Sequence, residues 1–266
     1  MNFGISGIGK ALFGAVALAA VSAPAFADQT GFTFPSGKGG VVWYSGVTNT
    51  EGNVIHVNQD IVVTQMGYEQ TPLTAFSTTV GIFDSSGNLL TYGTVTQSGT
   101  VDHGYVYTPF YPVKLRAGHN YTIAAMVTPS LPFYQNTTVA TTPSEITSLS
   151  YSWMSGVSFI FPGWVSLTPH FAANIKFVDA VSGATSRTLA YLQLQQDTAV
   201  TIPSSIQSAF DSYLQEAIKF DQAGDFPDED IQLDDYVQYV YLAYAFGYIS
   251  YNQFTDLFNR AAALYV

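Results

Sequence analysis

Residues 60–68 read Asp-Ile-Val-Val-Thr-Gln-Met-Gly-Tyr. A second run, residues 79–83 (TVGIF), leads through Asp84-Ser85-Ser86-Gly87-Asn88 into residues 89–96 (LLTYGTVT). In the first run Ile61, Val63, Gln65 and Gly67 alternate with Val62, Thr64, Met66 and Tyr68, the two-residue period of a strand. The residues after Phe83 accept positive φ or hydrogen-bond their own backbone, so the second and third runs pair as a hairpin. Outward from these, short runs rich in Val, Thr, Tyr and Phe are expected to form strands near 41–44, 54–57, 104–107, 111–115, 121–127, 150–161 and 171–177. About nine strands separated by turn residues predict a mainly β fold, a two-sheet antiparallel β-sandwich of jelly-roll or immunoglobulin-like type.

Near residue 180 the pattern moves to helical spacing. Pro203-Ser204-Ser205 offers a serine at or near an N-cap, and Ile206, Phe210, Leu214, Ala217 and Ile218 follow at steps of three and four. Gly224 and Pro227 stop that run. Asp228-Glu229-Asp230 stands where a second helix is expected to begin, acidic residues favouring the positive end of the helix dipole. That helix is expected to end at Gly247, and a third to run over 250–264 with Ser250 and Gln253 at capping-box spacing. The expected division is a signal peptide over 1–27, a β-sandwich domain over 28–179 and a helical C-terminal region of about three helices over 180–266. The helical region is too small to stand by itself and is expected to pack on the sheets or on another subunit.

Lys10 is the only charge before Asp28, and residues 11–23 form an unbroken small and apolar run. Ala25-Phe26-Ala27 then supplies the small residues that a signal peptidase needs. The run is far shorter than the roughly 20 residues of a membrane-spanning helix. The expectation is cleavage after Ala27 and a secreted or periplasmic bacterial protein with no transmembrane segment in the mature chain. The helical C-terminal region argues against a transmembrane barrel, which usually closes with a strand. There are no cysteines, which excludes disulfides, thiolate catalysis and Cys-ligated zinc. The chain carries 8 Lys+Arg against 19 Asp+Glu, a net charge of -11, with charged residues at 10%. Globular domains average roughly 25%. No two basic residues are adjacent, so no nucleic-acid partner is expected, since tracking phosphates needs clustered Lys and Arg.

The β half resembles a bacterial extracellular β-sandwich domain family of unknown function. That family places a strand of VTQ-x-GY type before VGI-x-D-x-x-G-x-LL. The counterparts here are Val63-Thr64-Gln65-Met66-Gly67-Tyr68, and Val80-Gly81-Ile82-Phe83-Asp84 followed by Gly87, Leu89 and Leu90. A later PV-x-L-x-AG-x-x-Y strand is matched by Pro112, Val113, Leu115, Ala117, Gly118 and Tyr121. The similarity covers residues of about 40–177 and none of the helical region. Its motifs concern packing and turns. The resemblance implies an ancillary binding or structural module.

No catalytic residue is nominated by the sequence. His56, His103, His119 and His170 are widely spaced, without a metal-binding motif, and are expected at loops or strand ends. Glycoside hydrolysis needs two carboxylates held across the scissile bond; Glu51, Asp60, Glu69, Asp84, Asp102 and Glu145 supply carboxylates, expected mostly near turns, and the sequence nominates no pair among them. Asp221, Asp225, Asp228, Glu229, Asp230, Asp234 and Asp235 form an acidic run. Calcium is the ion it would suit, yet the EF-hand register fails, because Phe226 or Asp230 falls at the glycine position. A solvated loop and helix start is the simpler reading; no cofactor is expected, with calcium the one ion left open.

Aromatics carry more information. Trp43, Tyr44, Phe133, Tyr134 and Trp164 lie at or near expected loops, and Phe161-Pro162-Gly163-Trp164 reads as a turn presenting an indole. Exposed rings stack on sugar faces and anchor interfaces. In the helical region Tyr236, Tyr239, Tyr241, Tyr244, Tyr248 and Tyr251 cover more than one helical face, so that region is expected either to be well buried or to present an assembly surface, and a homo-oligomer through it is one expectation. The expected function is a non-catalytic binding or structural module that contacts a polysaccharide or a cell-envelope partner through the aromatic loops. A carbohydrate-active hydrolase or lyase with an unrecognised carboxylate site, and a self-assembling extracellular subunit, are the alternatives.

Overall fold

The computed structural model describes residues 28–34, 40–42, 47–70, 75–129, 131, 133–135, 140–166, 171–181 and 184–265. The expected signal peptide lies outside them. The strands are β1 (Gln29–Thr30), β2 (Gly40–Val42), β3 (Asn49–Val57), β4 (Ile61–Glu69), β5 (Ser77–Asp84), β6 (Leu89–Thr96) and β7 (Thr100–Asp102). They continue as β8 (Tyr105–Leu115), β9 (Asn120–Val127), β10 (Phe133–Gln135), β11 (Ile146–Ser155), β12 (Trp164–Ser166) and β13 (Ala173–Asp179). Four helices follow: α1 (Ala184–Thr201), α2 (Gln207–Ala223), α3 (Phe226–Ala245) and α4 (Tyr251–Ala262).

Among the described residues the strands form two large antiparallel sheets and a small β10–β2 ribbon. One sheet has the order β1-β13-β4-β8-β7, the other β12-β11-β3-β9-β5-β6. Ile55, Val57, Val80, Ile82, Ile123 and Val127 of the six-stranded sheet share one apolar cluster with Ile61, Val63, Met66, Tyr68, Val106, Ile175 and Phe177 of the five-stranded sheet. Each such side chain removed from water contributes about 1.5–3 kcal/mol. This is the main reason the alternating runs hold as strands.

The expected alternation of β4 breaks at Thr64. Its partners step from Lys176 to Phe177 on β13 while β4 steps from Gln65 to Val63, so Thr64 is an extra residue. Ile61 and Val63 before the bulge, and Met66 and Tyr68 after it, therefore all reach the core between the sheets, although their sequence parity differs. The opposite face is also covered. Every residue of β4 is buried, and Val62 joins the helical cluster. The bulged Thr64 Oγ1 donates to Asp28 Oδ1 at 3.2 Å, and Gln65 Nε2 donates to Asp28 Oδ2 at 2.9 Å. Burial pushes the Asp28 carboxyl up from its ordinary value, although Lys176 and Thr64 oppose this.

The β5–β6 hairpin forms as its turn residues dictate. Asp84 Oδ1 accepts from the Ser86 and Asn88 backbone N–H groups at 2.9 and 2.8 Å, and Gly87 takes φ +86°. A bond from the Asn88 side chain is the leading cause that holds the Asp84 carboxyl below its ordinary value, with the turn's backbone N–H groups assisting. Two runs expected as separate strands, 104–107 and 111–115, form the single strand β8 with an irregularity between them.

The helical region has four helices rather than about three. The additional one is α1, whose inside and outside do not follow polarity. Leu189, Leu192 and Val200 face solvent, while Arg187 and Thr198 are buried beside Tyr191 and Leu194. Ser204 and Ser205 do not cap α2; the N-cap is Ile206, without a side-chain bond. The other helical signals hold. Phe210, Leu214 and Ala217 are buried, Gly224 closes α2 in the left-handed conformation, and α4 carries the Ser250/Gln253 capping box. The helices pack on the outer face of the five-stranded sheet, where Val62 and Val178 meet Tyr191, Leu214, Tyr236, Leu257 and Ala263. The Val181 N–H ties the layers by donating to the Ala263 carbonyl at 2.7 Å.

Candidate functional site

Of the aromatics singled out by sequence, Trp43 and Tyr44 lie outside the described residues. Phe133 and Tyr134, expected at or near a loop, belong to the three-residue strand β10, paired with Val42 and Val41 of β2. β10 and β2 form a separate two-stranded antiparallel ribbon.

Trp164 lies in β12, on the outer edge of the six-stranded sheet, opposite Trp153 of β11. It is 56% exposed. Its ring stands edge-to-face against Trp153, with centroids 4.9 Å apart and an interplanar angle of 89°. The connection over residues 156–163 is anchored on the sheet. Phe159 covers Gly81 and lies 5.2 Å from Phe83, and Phe161 packs on Phe83 at 5.7 Å and over Gly87. The Ile160 N–H donates to Thr50 Oγ1 at 3.2 Å. Gly81 and Gly87 leave the space these rings occupy. The expected indole is thus presented, though from a paired strand rather than a free turn. Exposed Val165 beside it extends an apolar edge.

A second aromatic site was not expected. Opposite the single residue Thr64 of β4, β8 carries Phe110, Tyr111 and Pro112, because the pairing passes from Gln65↔Pro109 to Val63↔Val113. Pro109 and Pro112 lack backbone donors, so the ladder loses little by parting there. Of the two aromatics between them, Phe110 packs against the core between the sheets, its Cβ close to Gly93 of β6, while Tyr111 stands exposed beside the helices. With Val237, Gln238 and Tyr241 of α3 and Phe254 and Phe258 of α4 they line a cleft of about 330 Å³. Tyr241 lies 6.2 Å from Phe254, edge-to-face, and Phe254 lies 5.3 Å from Phe258. Val237, Phe254 and Phe258 form a buried floor, while Tyr111 and Tyr241, 54% and 53% exposed, form the rim. Asp234 precedes Val237, Gln238 and Tyr241 on one helical face. Burial, then the charges of Asp234 and Asp235, push the Tyr111 phenol upward. The sequence sign of this site was the Pro-Phe-Tyr-Pro run, two prolines bracketing two aromatics within a strand.

The carboxylates are largely committed to structure. Asp60 accepts from the Ala117 N–H at 2.8 Å and pairs with Lys114 at 3.2 Å, and the backbone bond above all lowers its carboxyl from the ordinary value. Asp102 pairs with Lys176 at 2.9 Å and His103 at 2.7 Å. Glu51 and Glu69 are buried within β3 and β4 rather than near turns. The acidic run is partly neutralised from α1. Arg187 Nε donates to Asp221 Oδ1 at 2.6 Å, and Arg187 Nη2 and the Tyr191 hydroxyl both donate to Glu229 Oε1. Glu229 is fully buried, on a helix start expected to be solvated. The helices of the fold bring Arg187 to it across the α1–α3 interface, a long-range pairing that local spacing does not reveal. Among the described residues no three His, Asp or Glu side chains converge as a metal site, and no helix is long and apolar enough to cross a membrane.

Fold and sites together define a mainly β protein of two antiparallel sheets with a four-helix layer and two separate aromatic surfaces. Neither a protein-family model nor a curated protein matches the chain.

Proposed function

We propose that this chain is an exported, non-catalytic binding module of the secreted or periplasmic space. In this reading the paired sheets form a β-sandwich of jelly-roll or immunoglobulin-like type, and residues 1–27 are removed on export. The ligand is a polysaccharide or envelope glycan that stacks on the Trp153–Trp164 edge. One observation carries the reading: a half-exposed indole held at right angles to a second indole on paired strands, with its connection fastened by Phe159 and Phe161. A rigid ring binds without a large ordering cost, and its apolar face suits the C–H face of a sugar.

The test is a glycan-array screen of residues 28–266, with and without calcium, beside Trp164→Ala. Selective binding that falls at least about tenfold in the variant is expected, the size of a central aromatic anchor. Silence across the array, or binding indifferent to Trp164, would sink the reading.

Exposed Tyr241, Tyr244, Phe246 and Tyr248 at the end of α3 favour a second reading, a homo-oligomer formed through the helical region. Its mark is a mass by light scattering that rises with concentration and returns to the monomer in Phe246→Glu.

A further inference from the structure

The cleft between β8 and the α3–α4 pair has walls of a kind different from the Trp153–Trp164 edge. Five aromatic rings, Phe110, Tyr111, Tyr241, Phe254 and Phe258, surround one space of about 330 Å³. No Lys or Arg lines it. Carboxylates stand close by: Asp234 and Asp235 raise the Tyr111 phenol through their charge, and Asp234 Oδ1 accepts from the Tyr265 hydroxyl at 2.5 Å. The chain as a whole carries a net charge of -11.

These features select among ligand classes. Aromatic faces carry partial negative charge and attract a cation placed over them, most strongly where water is excluded. The neighbouring carboxylates add to that attraction and oppose an anionic lipid or a fatty acid. A neutral sugar needs several fixed donors and acceptors for its hydroxyls, and the lining supplies only Gln238 and the two rim tyrosine hydroxyls. We infer that the cleft is a binding site for an organic cation, an alkylammonium head with an apolar body, held by cation–π contact with Tyr241, Tyr111 and Phe254. The irregularity in β8 shapes the site, because it leaves Tyr111 exposed beside α3 while Phe110, packed on the inter-sheet core, borders the same space. This site is independent of the glycan reading and shares no residue with it.

The experiment is an NMR titration of the purified protein at dilute concentration with choline and with 3,3-dimethylbutan-1-ol, its uncharged isostere. Choline is expected to bind at least about tenfold more tightly than the alcohol, the range of a desolvated cation–π contact. Tyr241 is half exposed, so its variants keep the fold, which far-ultraviolet circular dichroism checks. Tyr241→Leu is expected to abolish the preference for the cation while Tyr241→Phe retains it. Equal binding of the two probes would make the cleft merely apolar and overturn the inference. So would no binding of choline up to about 10 mM, well above the range a desolvated aromatic site reaches, or an unchanged preference in Tyr241→Leu. A glycan array that stays silent leaves this result untouched, and the converse holds.

Discussion

Gly67 lies beneath the Tyr107 ring so closely that a Cβ there would come 2.5 Å from Cε1. Tyr107 is fully buried and also receives Lys176 5.1 Å from its centroid, so the ring has nowhere to retreat. Gly67→Ala is expected to cost about 1–3 kcal/mol by overpacking, read as a lower urea midpoint with unchanged slope. The Arg187 network makes a sharper prediction. Its members are almost completely buried, so Arg187→Met would leave Asp221 and Glu229 as unpaired charges and cost about 3–5 kcal/mol. Replacing Arg187, Asp221 and Glu229 together by apolar residues of similar volume is expected to restore most of that loss, because desolvation of all three is then avoided. A triple variant as weak as the single one would show that the network contributes more than it costs. Asp28 bears on the proposed export. Its carboxylate is engaged by Thr64 and Gln65, so cleavage after Ala27 keeps this anchor and cleavage further along would remove it. Intact-mass measurement of the exported protein is expected to give Asp28 as the first residue.

At the scale of elements, α4 forms one wall of the cleft and owes its start to a single box. Ser250 and Gln253 exchange bonds at its N-terminus, and Ser250→Ala is expected to cost about 1 kcal/mol, seen in thermal unfolding. The elements readable in the sequence were those whose reason is local. The Asp84–Asn88 turn, the Gly224 stop and the Ser250 cap each act within a few residues, and all three stand where expected. The β4 run was also legible as a strand, but its facing was not. Thr64 adds a residue, and nothing in Val-Thr-Gln announces that Met66 will share a side with Val63. For α1 the difficulty was that solvent-facing leucines and a buried arginine defeat any inside–outside rule. Its pattern makes sense only once Asp221 and Glu229 are brought to Arg187 from other helices. The candidate sites divide in the same way. Trp164 was visible because Pro162-Gly163 reads as a turn that brings the next side chain to the surface, whereas the cleft required knowing which helix comes to lie beside Tyr111.

For the whole molecule, the carboxylates fall into two groups with opposite signs. Burial raises Asp28, Asp179, Glu229 and Asp234 above their ordinary values. Hydrogen bonds and ion pairs lower Asp60, Asp84 and Asp102 below 3.8. A raised carboxyl binds its proton more tightly when folded, so stability grows as pH falls through its folded value toward 3.8, or 4.5 for Glu229. A lowered one supports the fold above 3.8 and loses that support as pH falls through its folded value. Relief of self-repulsion in a chain of net charge -11 acts with the first group. Melting temperature is therefore expected to rise from pH 7.5 toward about pH 4.5–5 and to fall below about pH 3.8, in a calorimetric series across that range. A steady decline from neutrality downward would contradict it. The sheet order also sets a timetable. β4 lies between β8 and β13, and among the described residues β1 pairs only with β13, Gln29 opposite Phe177. β4 can pair with β8 soon after both have emerged, but its other edge and all of β1 wait for β13, some 110 to 150 residues later. Pairings of such separation form slowly, and an unpaired apolar strand recruits neighbours. The nascent protein thus has a long interval in which one edge of β4 stays open, and fragments ending before β13 should be found only in the insoluble fraction.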